Sequence, residues 1–216
     1  MGMPAGVEAL WSRAWQELRA SFSYANAQSH PRIAAWRMAM KAIGAPHKEY
    51  PTSIEALVRR ALKSEQPFRV NAPVDFYNAL CLRLVVPAGG FDIDSLRGDL
   101  ELRLTVAGDT FEPLDGSGAE PVPPGEVAYA DGSMVVTRHL MWRQSRHALI
   151  RPETRNAIFL SEALPEDAGL PERIAGELEL GLRQHFSAAT RSAVLDAGRR
   201  EWPLARTRTA RLHSAR

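Results

Sequence analysis

The chain has 216 residues, of which 45% are hydrophobic and 24% charged, and its formal net charge is +2. This composition is ordinary for a globular protein, and so small a net charge does not by itself indicate a nucleic-acid-binding protein. The one cysteine, Cys81, excludes a disulfide framework within the chain and favours a reducing compartment. We find neither a signal-peptide pattern nor the run of about 18 apolar residues that a membrane span needs. The sequence therefore predicts a cytoplasmic protein without a membrane partner.

Three amphipathic helices are predicted in the first part of the chain. The first covers residues 4–20, and the second begins near Pro31 and ends at Gly44. The third begins with a capping box formed by Thr52 and Glu55.

Two features of these helices bear on partners. Trp11 and Trp15 lie on the apolar face of the first helix, so that helix packs either on this chain's own core or on a second copy of the chain. The third helix has an outer face of Arg59, Arg60 and Lys63, which is either a solvated surface or a nucleic-acid contact. The carboxyl-terminal end is also basic, with Glu201 opposed to six arginines: Arg199, Arg200, Arg206, Arg208, Arg211 and Arg216.

The stretch of residues 68–92, FRVNAPVDFYNALCLRLVVPAGGFD, places a polar cluster before a nearly continuous apolar run. The polar residues recur at helical spacing and are Asn71, Asp75 and Asn78. Residues 80–86 have the length of a core strand, and we expect Pro87 and Gly89-Gly90 to end it in a turn. The three polar side chains either line a pocket at this point or cap a short helix.

Strand patterns follow. Residues 99–106 alternate strictly, with Leu100, Leu102, Leu104 and Val106 on one side, which predicts a half-buried strand. Asp131-Gly132 predicts a hairpin between residues 127–130 and 134–136. The remaining predicted elements are a loop at 115–125, strands at 147–150 and 157–160, and a helix from Pro171.

The order of helices, strands and a final helix predicts one α+β domain with mixed or antiparallel sheets. We find no internal repeat and no linker that would divide two cores. The predicted divisions are an N-terminal helix at 1–28, the main domain at 29–165, and a C-terminal helix with a basic tail at 166–216.

Three kinds of catalytic site find no support in the residues. The six histidines lack metal-ligand spacing, so we expect neither a metal nor another cofactor. Cys81 lies between Leu80 and Leu82, which is typical of a core thiol. Gly116 and Gly118 lack the lysine and the helix that follow a phosphate-binding glycine loop.

The segment of residues 137–146, TRHLMWRQSR, is unusually polar for a strand beside a hairpin. It is either an exposed strand edge with solvated arginines or part of a site. Trp142 favours a site, because an indole among arginines suits stacking on a base or an aromatic side chain.

Several short motifs follow one another between residues 31 and 164. They are Val74-Asp75 with Asn78, Pro87 with Phe91-Asp92, residues 98–104, Ala107-Gly108-Asp109 with Phe111, Leu114-Asp115-Gly116, residues 127–131, and residues 153–158. Their order resembles the B3/B4 editing domain of the phenylalanyl-tRNA synthetase beta chain. The resemblance implies a single B3/B4-like domain that acts in trans on mischarged aminoacyl-tRNA and hydrolyses its ester bond.

The resemblance also implies roles for individual residues. The amino-acid pocket would be lined or braced by Asn71, Asp75, Asn78, Pro87, Gly89 and Gly90. With this substrate, the water would be oriented by Asn71, Asn78 or Ser145 as catalytic residues, and the tRNA terminus bound by His139, Trp142, Arg143 and Arg146. The acceptor stem would contact Arg59, Arg60, Lys63, Arg199 and Arg200.

This chain departs from the synthetase domain at two positions. Gly89 stands where the synthetase turn carries a histidine, and Arg146 stands where it has a glutamate. These losses favour one alternative on the same fold, a non-catalytic tRNA-binding or RNA-binding module. A further alternative is an amino-acid-binding protein that uses the same pocket without RNA.

Overall fold

The structure is a computed structural model that describes residues 4–46, 48–205 and 208–212. Two compact units are distinguished among them, and both are built from separated parts of the chain. The first takes the described residues of 1–39, 51–89 and 159–193, and the second those of 40–50, 90–158 and 194–216. The α+β class is confirmed, with helices at the N-terminal side and a helix near the C-terminal side. The predicted divisions at residues 28 and 165 stay predictions.

The helices are α1 Ala5–Ser21, α2 Pro31–Ala42, α3 Ser53–Lys63, α4 Ala72–Leu84 and α5 Leu170–Phe186. The predicted cap of α3 is confirmed, because Thr52 Oγ1 accepts a hydrogen bond of 3.3 Å from the backbone N–H of Glu55. The Glu55 carboxylate is bonded to arginines instead, which the capping box did not predict.

The core of the first unit includes the two tryptophans of α1. Trp11 and Trp15 are fully buried, and their rings meet edge to face with centroids 5.1 Å apart. Trp11 Nε1 donates to the Phe68 carbonyl at 2.8 Å, and Trp15 Nε1 donates to the Ser64 carbonyl at 2.9 Å. The apolar face of α1 therefore packs on its own chain. A homo-oligomer formed through the N-terminal helix stays a prediction.

The strand predicted at residues 80–86 is wrong, because this run is the second half of α4. Buried residues lie on every side of this helix, from Phe76 and Tyr77 to Leu82 and Leu84. A helix buried all round has no apolar stripe, so its sequence loses the helical period that would have identified it. Cys81 is buried within it, and burial raises the pKa of its thiol to about 12.

The predicted glycine turn is also wrong. The chain leaves α4 at Val85, which adopts left-handed backbone with φ 51°. Gly89 and Gly90 lie inside strand β1 (Ala88–Asp92), and neither has a positive φ.

The strands after β1 are β2 Leu100–Leu104, β3 Thr110–Phe111, β4 Glu120–Pro121, β5 Val127–Asp131, β6 Met134–Arg138, β7 Arg143–Gln144, β8 Ala157–Ser161, β9 Glu201–Ala205 and β10 Arg208–Leu212. β1 pairs with β8, and the others form a sheet of order β4-β3-β6-β5-β2-β10-β9, with β7 on β6. The sheet is mixed, since β3 runs parallel to β6 and β10 runs parallel to β2. The hairpin predicted at Asp131-Gly132 is confirmed as β5 and β6.

Two of the predicted strands differ from those in the structure. Only Leu100 is buried on the predicted apolar side of β2. The strand ends at Leu104, and Leu104 and Val106 are 40% and 55% exposed. Residues 147–150 form no strand, since left-handed backbone at Ala148 leaves a single bridge between Leu149 and Phe91.

The predicted C-terminal basic tail contains β9 and β10. The pairing of β10 with β2 requires a strand more than a hundred positions earlier in the chain, as in the pair Ala210 and Leu100, and the local sequence does not reveal it. Arg206 and Arg216 lie outside the described residues.

Candidate functional site

The polar residues at the start of α4 bond to their own backbone. Asn71 is the N-cap of the helix, and its Oδ1 accepts a 3.0 Å bond from the N–H of Val74. Asp75 is fully buried, and its Oδ1 accepts a 3.1 Å bond from the N–H of Val70. Asn78 is half-buried on the following turn. The cap predicted as one alternative is therefore present, and the catalytic roles of Asn71 and Asn78 stay predictions.

One of the two carboxylate oxygens of Asp75 is buried and unsatisfied. Its Oδ2 has no hydrogen-bond partner among the described residues. Burial raises the pKa of this carboxyl, while the Val70 N–H and the nearby Arg69 lower it in part. An unsatisfied buried carboxylate oxygen is costly, so this atom is a position where a donor would be bound favourably.

The predicted pocket-wall residues lie at β1 and just before it. The Pro87 carbonyl accepts a bond of 2.6 Å from Ser161 Oγ, and the Gly90 carbonyl accepts one of 2.9 Å from Gln144 Nε2. A Cβ built on Gly89 meets no described atom within 4 Å. Gly89 is therefore required neither by a positive φ nor by a neighbour close to the position of a Cβ.

The segment of residues 137–147 gathers aromatic rings and an arginine in the second unit. The rings of Tyr50 and His139 lie with centroids 3.6 Å apart, and Tyr50 meets Trp142 edge to face at 4.8 Å. The Arg143 guanidinium carbon lies 4.5 Å from the centre of the Trp142 ring. We call Tyr50, His139, Trp142 and Arg143 the aromatic cluster. Its side chains interact with one another, which a row of solvated arginines on a strand edge would not do.

Unusual backbone shapes this segment. His139 and Leu140 have φ values of 44° and 62°, in the left-handed region that side chains with a Cβ rarely adopt. Strained backbone of this kind persists only where surrounding contacts hold it, and such places are frequent at functional sites. The turn reverses the chain between β6 and β7, which brings Trp142 beside His139.

Glu126 supplies the contacts that hold this turn. Its carboxylate is nearly buried, receives bonds of 2.7 and 2.8 Å from Arg138 Nε, and receives one of 2.6 Å from the backbone N–H of His139. Burial lowers the pKa of His139, and Arg138 lowers it further, although Glu126 acts in the opposite direction. The sequence analysis missed both Glu126 and Tyr50, because nothing near either residue marks it as part of a site.

Ser145 is fully enclosed. Its Oγ donates to the Glu112 carbonyl at 3.1 Å and accepts a 3.0 Å bond from the N–H of His147. Arg146 has an exposed side chain, and its N–H bonds to the Glu112 carbonyl at 2.8 Å. The Ser145 hydroxyl thus fixes the backbone of this segment, and its part in orienting water stays a prediction.

A second acidic contact, also missed from the sequence, lies beside Ser145. His147 Nε2 lies 2.8 Å from Asp131 Oδ2, and the same oxygen accepts a 2.7 Å bond from the N–H of Arg97. The Asp131 side chain is fully buried and that of His147 is 10% exposed.

The predicted acceptor-stem residues have mixed settings. Arg59 binds the buried Glu55 at 2.6 Å, and the Arg60 guanidinium carbon lies 4.5 Å from the centre of the Phe68 ring. Lys63 has an exposed side chain. Arg199 covers the Trp202 ring at 4.4 Å, and Arg200 is exposed next to it. The contact of all five residues with tRNA stays a prediction.

No group of three or more His, Cys, Asp or Glu side chains is placed to hold a metal ion in the part of the chain that the structure describes. Over the same residues, none of the helices has the length and apolar character needed to cross a bilayer.

No curated protein matches the sequence. The model of the B3/4 domain family matches residues 35–174, a range that contains α3, α4 and strands β1 to β8. The particular likeness to the synthetase beta chain stays a prediction. With well over half of its residues matched, the chain belongs to the B3/4 domain family.

Proposed function

We propose that this protein is a trans-acting aminoacyl-tRNA deacylase, which hydrolyses the ester bond of mischarged tRNA. The observation that carries the proposal is the aromatic cluster, in which Arg143 lies over Trp142 within a B3/4 family chain. A single-stranded tRNA end offers bases that stack on aromatic rings and phosphates that bind guanidinium groups. The cluster offers both kinds of group a few ångströms apart.

In this proposal Trp142 stacks on the terminal adenine. Arg143 covers one face of the indole, and Tyr50 meets the ring edge to face. The base therefore takes the opposite face, or it displaces Arg143 toward the neighbouring phosphates. Arg146, with its exposed side chain, is the second phosphate ligand. Phosphate contacts set the register of the tRNA end, while stacking tolerates the terminal base without reading sequence.

The reaction is the addition of water to an activated ester, followed by release of the terminal ribose hydroxyl. Asn78 stays our candidate for orienting that water. Asn71 is a weaker candidate, since its Oδ1 already caps α4. The Ser145 hydroxyl is bonded on both sides, so its contribution is to hold the segment that carries Arg143 and Arg146.

One alternative is a non-catalytic tRNA-binding module. Gly89 and Arg146 favour it, because the synthetase-like histidine and glutamate are missing at those positions. An amino-acid-binding protein is a further alternative, and the orphaned Asp75 Oδ2 favours it, since a buried carboxylate oxygen suits an ammonium group.

The test is deacylation of a panel of correctly and incorrectly charged tRNAs, with Arg143→Ala beside the wild type. We expect turnover of some mischarged pairs and a KM about 10-fold higher in the variant with little change in kcat, because a phosphate contact is made in ground and transition states alike. Arg155→Ala is the matched control, since Arg155 is an exposed arginine outside the aromatic cluster.

The same panel separates the alternatives. Salt-sensitive tRNA binding without turnover would leave a binding module, because phosphate contacts weaken steeply as salt rises. Binding of a free amino acid that salt does not affect, without tRNA binding, would favour the third function. An unchanged KM in Arg143→Ala would remove the proposed role of Arg143.

A further inference from the structure

His147 and Asp131 form a histidine–carboxylate pair that the proposed mechanism does not yet use. The carboxylate is fixed at the end of β5, where Asp131 Oδ2 receives the Arg97 N–H at 2.7 Å and lies 2.8 Å from His147 Nε2. Its side chain is fully buried, so water does not compete for that oxygen. A carboxylate placed in this way holds the proton of the imidazole on Nε2.

The other ring nitrogen of His147, Nδ1, is the one that could accept a proton in a reaction. With the proton on Nε2, Nδ1 carries a lone pair, and it has no hydrogen bond to any residue that the structure describes. Nδ1 is also not one of the ring nitrogens sealed from solvent without a partner. His30 Nδ1 and His139 Nε2 are sealed in that way. Among these three histidines, His147 alone pairs one ring nitrogen with a fully buried carboxylate and keeps the other outside that sealed set.

The backbone around His147 is fixed on both sides. Ser145 Oγ accepts the His147 N–H at 3.0 Å, and the Ala148 carbonyl accepts the Asp92 N–H at 2.9 Å. Gln144 Nε2 bonds to the Gly90 carbonyl at 2.9 Å. A group held by supporting hydrogen bonds keeps its orientation without cost at the moment of reaction. This is the function that the enclosed Ser145 performs in the segment.

A purely structural contact with Asp131 would not require a histidine. Asp131 would be satisfied in part by Arg97, and a second donor to it could come from any amide or hydroxyl. The histidine adds a second ring nitrogen that can accept a proton in a reaction, which an amide or a hydroxyl donor does not offer.

We propose that His147 is the general base of the deacylation and that Asp131 is its positioning residue; this rests on the proposed function. His147 Nδ1 takes a proton from water while the water oxygen bonds to the ester carbonyl carbon. Asp131 stabilises the imidazolium that forms. The tetrahedral intermediate then breaks its bond to the ribose oxygen, which receives the proton from Nδ1. The products are the free amino acid and tRNA with its terminal hydroxyl restored.

The experiment measures single-turnover deacylation of a mischarged tRNA from the panel by wild type, His147→Gln and His147→Ala. We expect the rate constant to fall at least about 100-fold in both variants, as loss of a general base does. Binding of the same tRNA carrying its amino acid through a non-hydrolysable amide bond should change less than about 3-fold. Added imidazole should restore part of the rate in His147→Ala, which a merely structural histidine would not show. His185→Gln, at a histidine in the first unit, should keep the wild-type rate.

Each outcome decides the matter. A rate in His147→Gln within a few-fold of wild type overturns the role of His147 and leaves the deacylase function standing. A rate lost together with binding of the amide-linked tRNA, and not restored by imidazole, makes the pair a structural contact and also overturns the proposal. If the wild type deacylates no tRNA of the panel, both the proposed deacylase function and the proposed role of His147 as general base are overturned.

Discussion

The start of α4 and the segment of residues 137–147 are both rich in polar side chains, but they use them differently. At α4, Asn71 and Asp75 bond to backbone N–H groups no more than five residues away. In the 137–147 segment the partners are distant in sequence, since Glu126 holds Arg138 and His139, and Tyr50 packs on His139.

The difference separates a polar cluster that local structure explains from one that it does not explain. A helix start needs side-chain acceptors for its free N–H groups, so polar residues there require no further explanation. Left-handed backbone at His139 and Leu140 answers no such local need. It exists because contacts from other parts of the chain hold it, and this identifies the second segment as the better candidate for a site.

The largest effect should come from removing the acid that holds the second segment. We expect Glu126→Ala to lower the free energy of unfolding by about 3–5 kcal/mol, because it leaves the mostly buried Arg138 without its main partner. Glu120→Ala is the control, since Glu120 contacts the same arginine at 3.4 Å with a half-exposed side chain, and it should cost less than about 1 kcal/mol. Urea denaturation of both variants measures this. Equal losses would show that Glu126 does not hold the turn.

Asp75 should give the next largest effect, in the first segment. Asp75→Ala removes the acceptor of the Val70 N–H and should cost about 1–3 kcal/mol. Asp75→Asn keeps an acceptor and removes the charge that burial disfavours, so at pH 7 it should match or exceed the wild type in stability.

The pH dependence of Asp75 has a defined sign. The pKa of this carboxyl is raised in the folded state, so the folded protein keeps the proton longer than the unfolded chain. Wild-type stability should therefore fall as the pH rises from about 4 through the raised pKa, and Asp75→Asn should lack that loss. Denaturation midpoints from pH 3.5 to 7.5 test this, and parallel profiles would contradict it.

Two substitutions of Asn71 distinguish a capping role from a catalytic one, and their effect on stability should be smaller than that of Asp75→Ala. Asn71→Ala should cost about 1 kcal/mol, whereas Asn71→Ser keeps a good N-cap and should cost only a few tenths. If capping is its whole role, both variants deacylate at the wild-type rate once folded. A Ser variant of normal stability that has lost turnover would instead restore Asn71 as a catalytic residue.

The smallest effect concerns His139. Burial lowers the pKa of its imidazole in the folded protein, so the unfolded chain binds a proton at this residue more readily than the folded protein does. This contribution to stability is complete above about pH 6.5 and is lost as the pH falls through the lowered pKa. Between pH 7.5 and 5, the free energy of unfolding should fall less in His139→Gln than in the wild type, by a difference of less than about 1 kcal/mol. An NMR titration of the His139 ring with a pKa at or above the ordinary value would contradict it.

Elements with a strong local signal were predicted well. The Thr52 cap of α3, the turn at Asp131-Gly132 and the presence of a strand at β2 follow from bonds and periodicities within a few residues. The predictions failed where burial removed the pattern. The all-round burial of α4 made the run 80–86 resemble a strand, and β10 is a strand only because it pairs with β2.

The sequence by itself determined the α+β class, most of the helices, the family and the polar segment around Trp142, because composition, capping and periodicity are local properties. Tertiary structure alone decided which of these polar residues meet. Asp131 and His147 are sixteen positions apart, and Tyr50 lies almost ninety positions before His139. Pairs at such distances depend on how the sheet and its turns fold back, and no spacing in one sequence records that geometry.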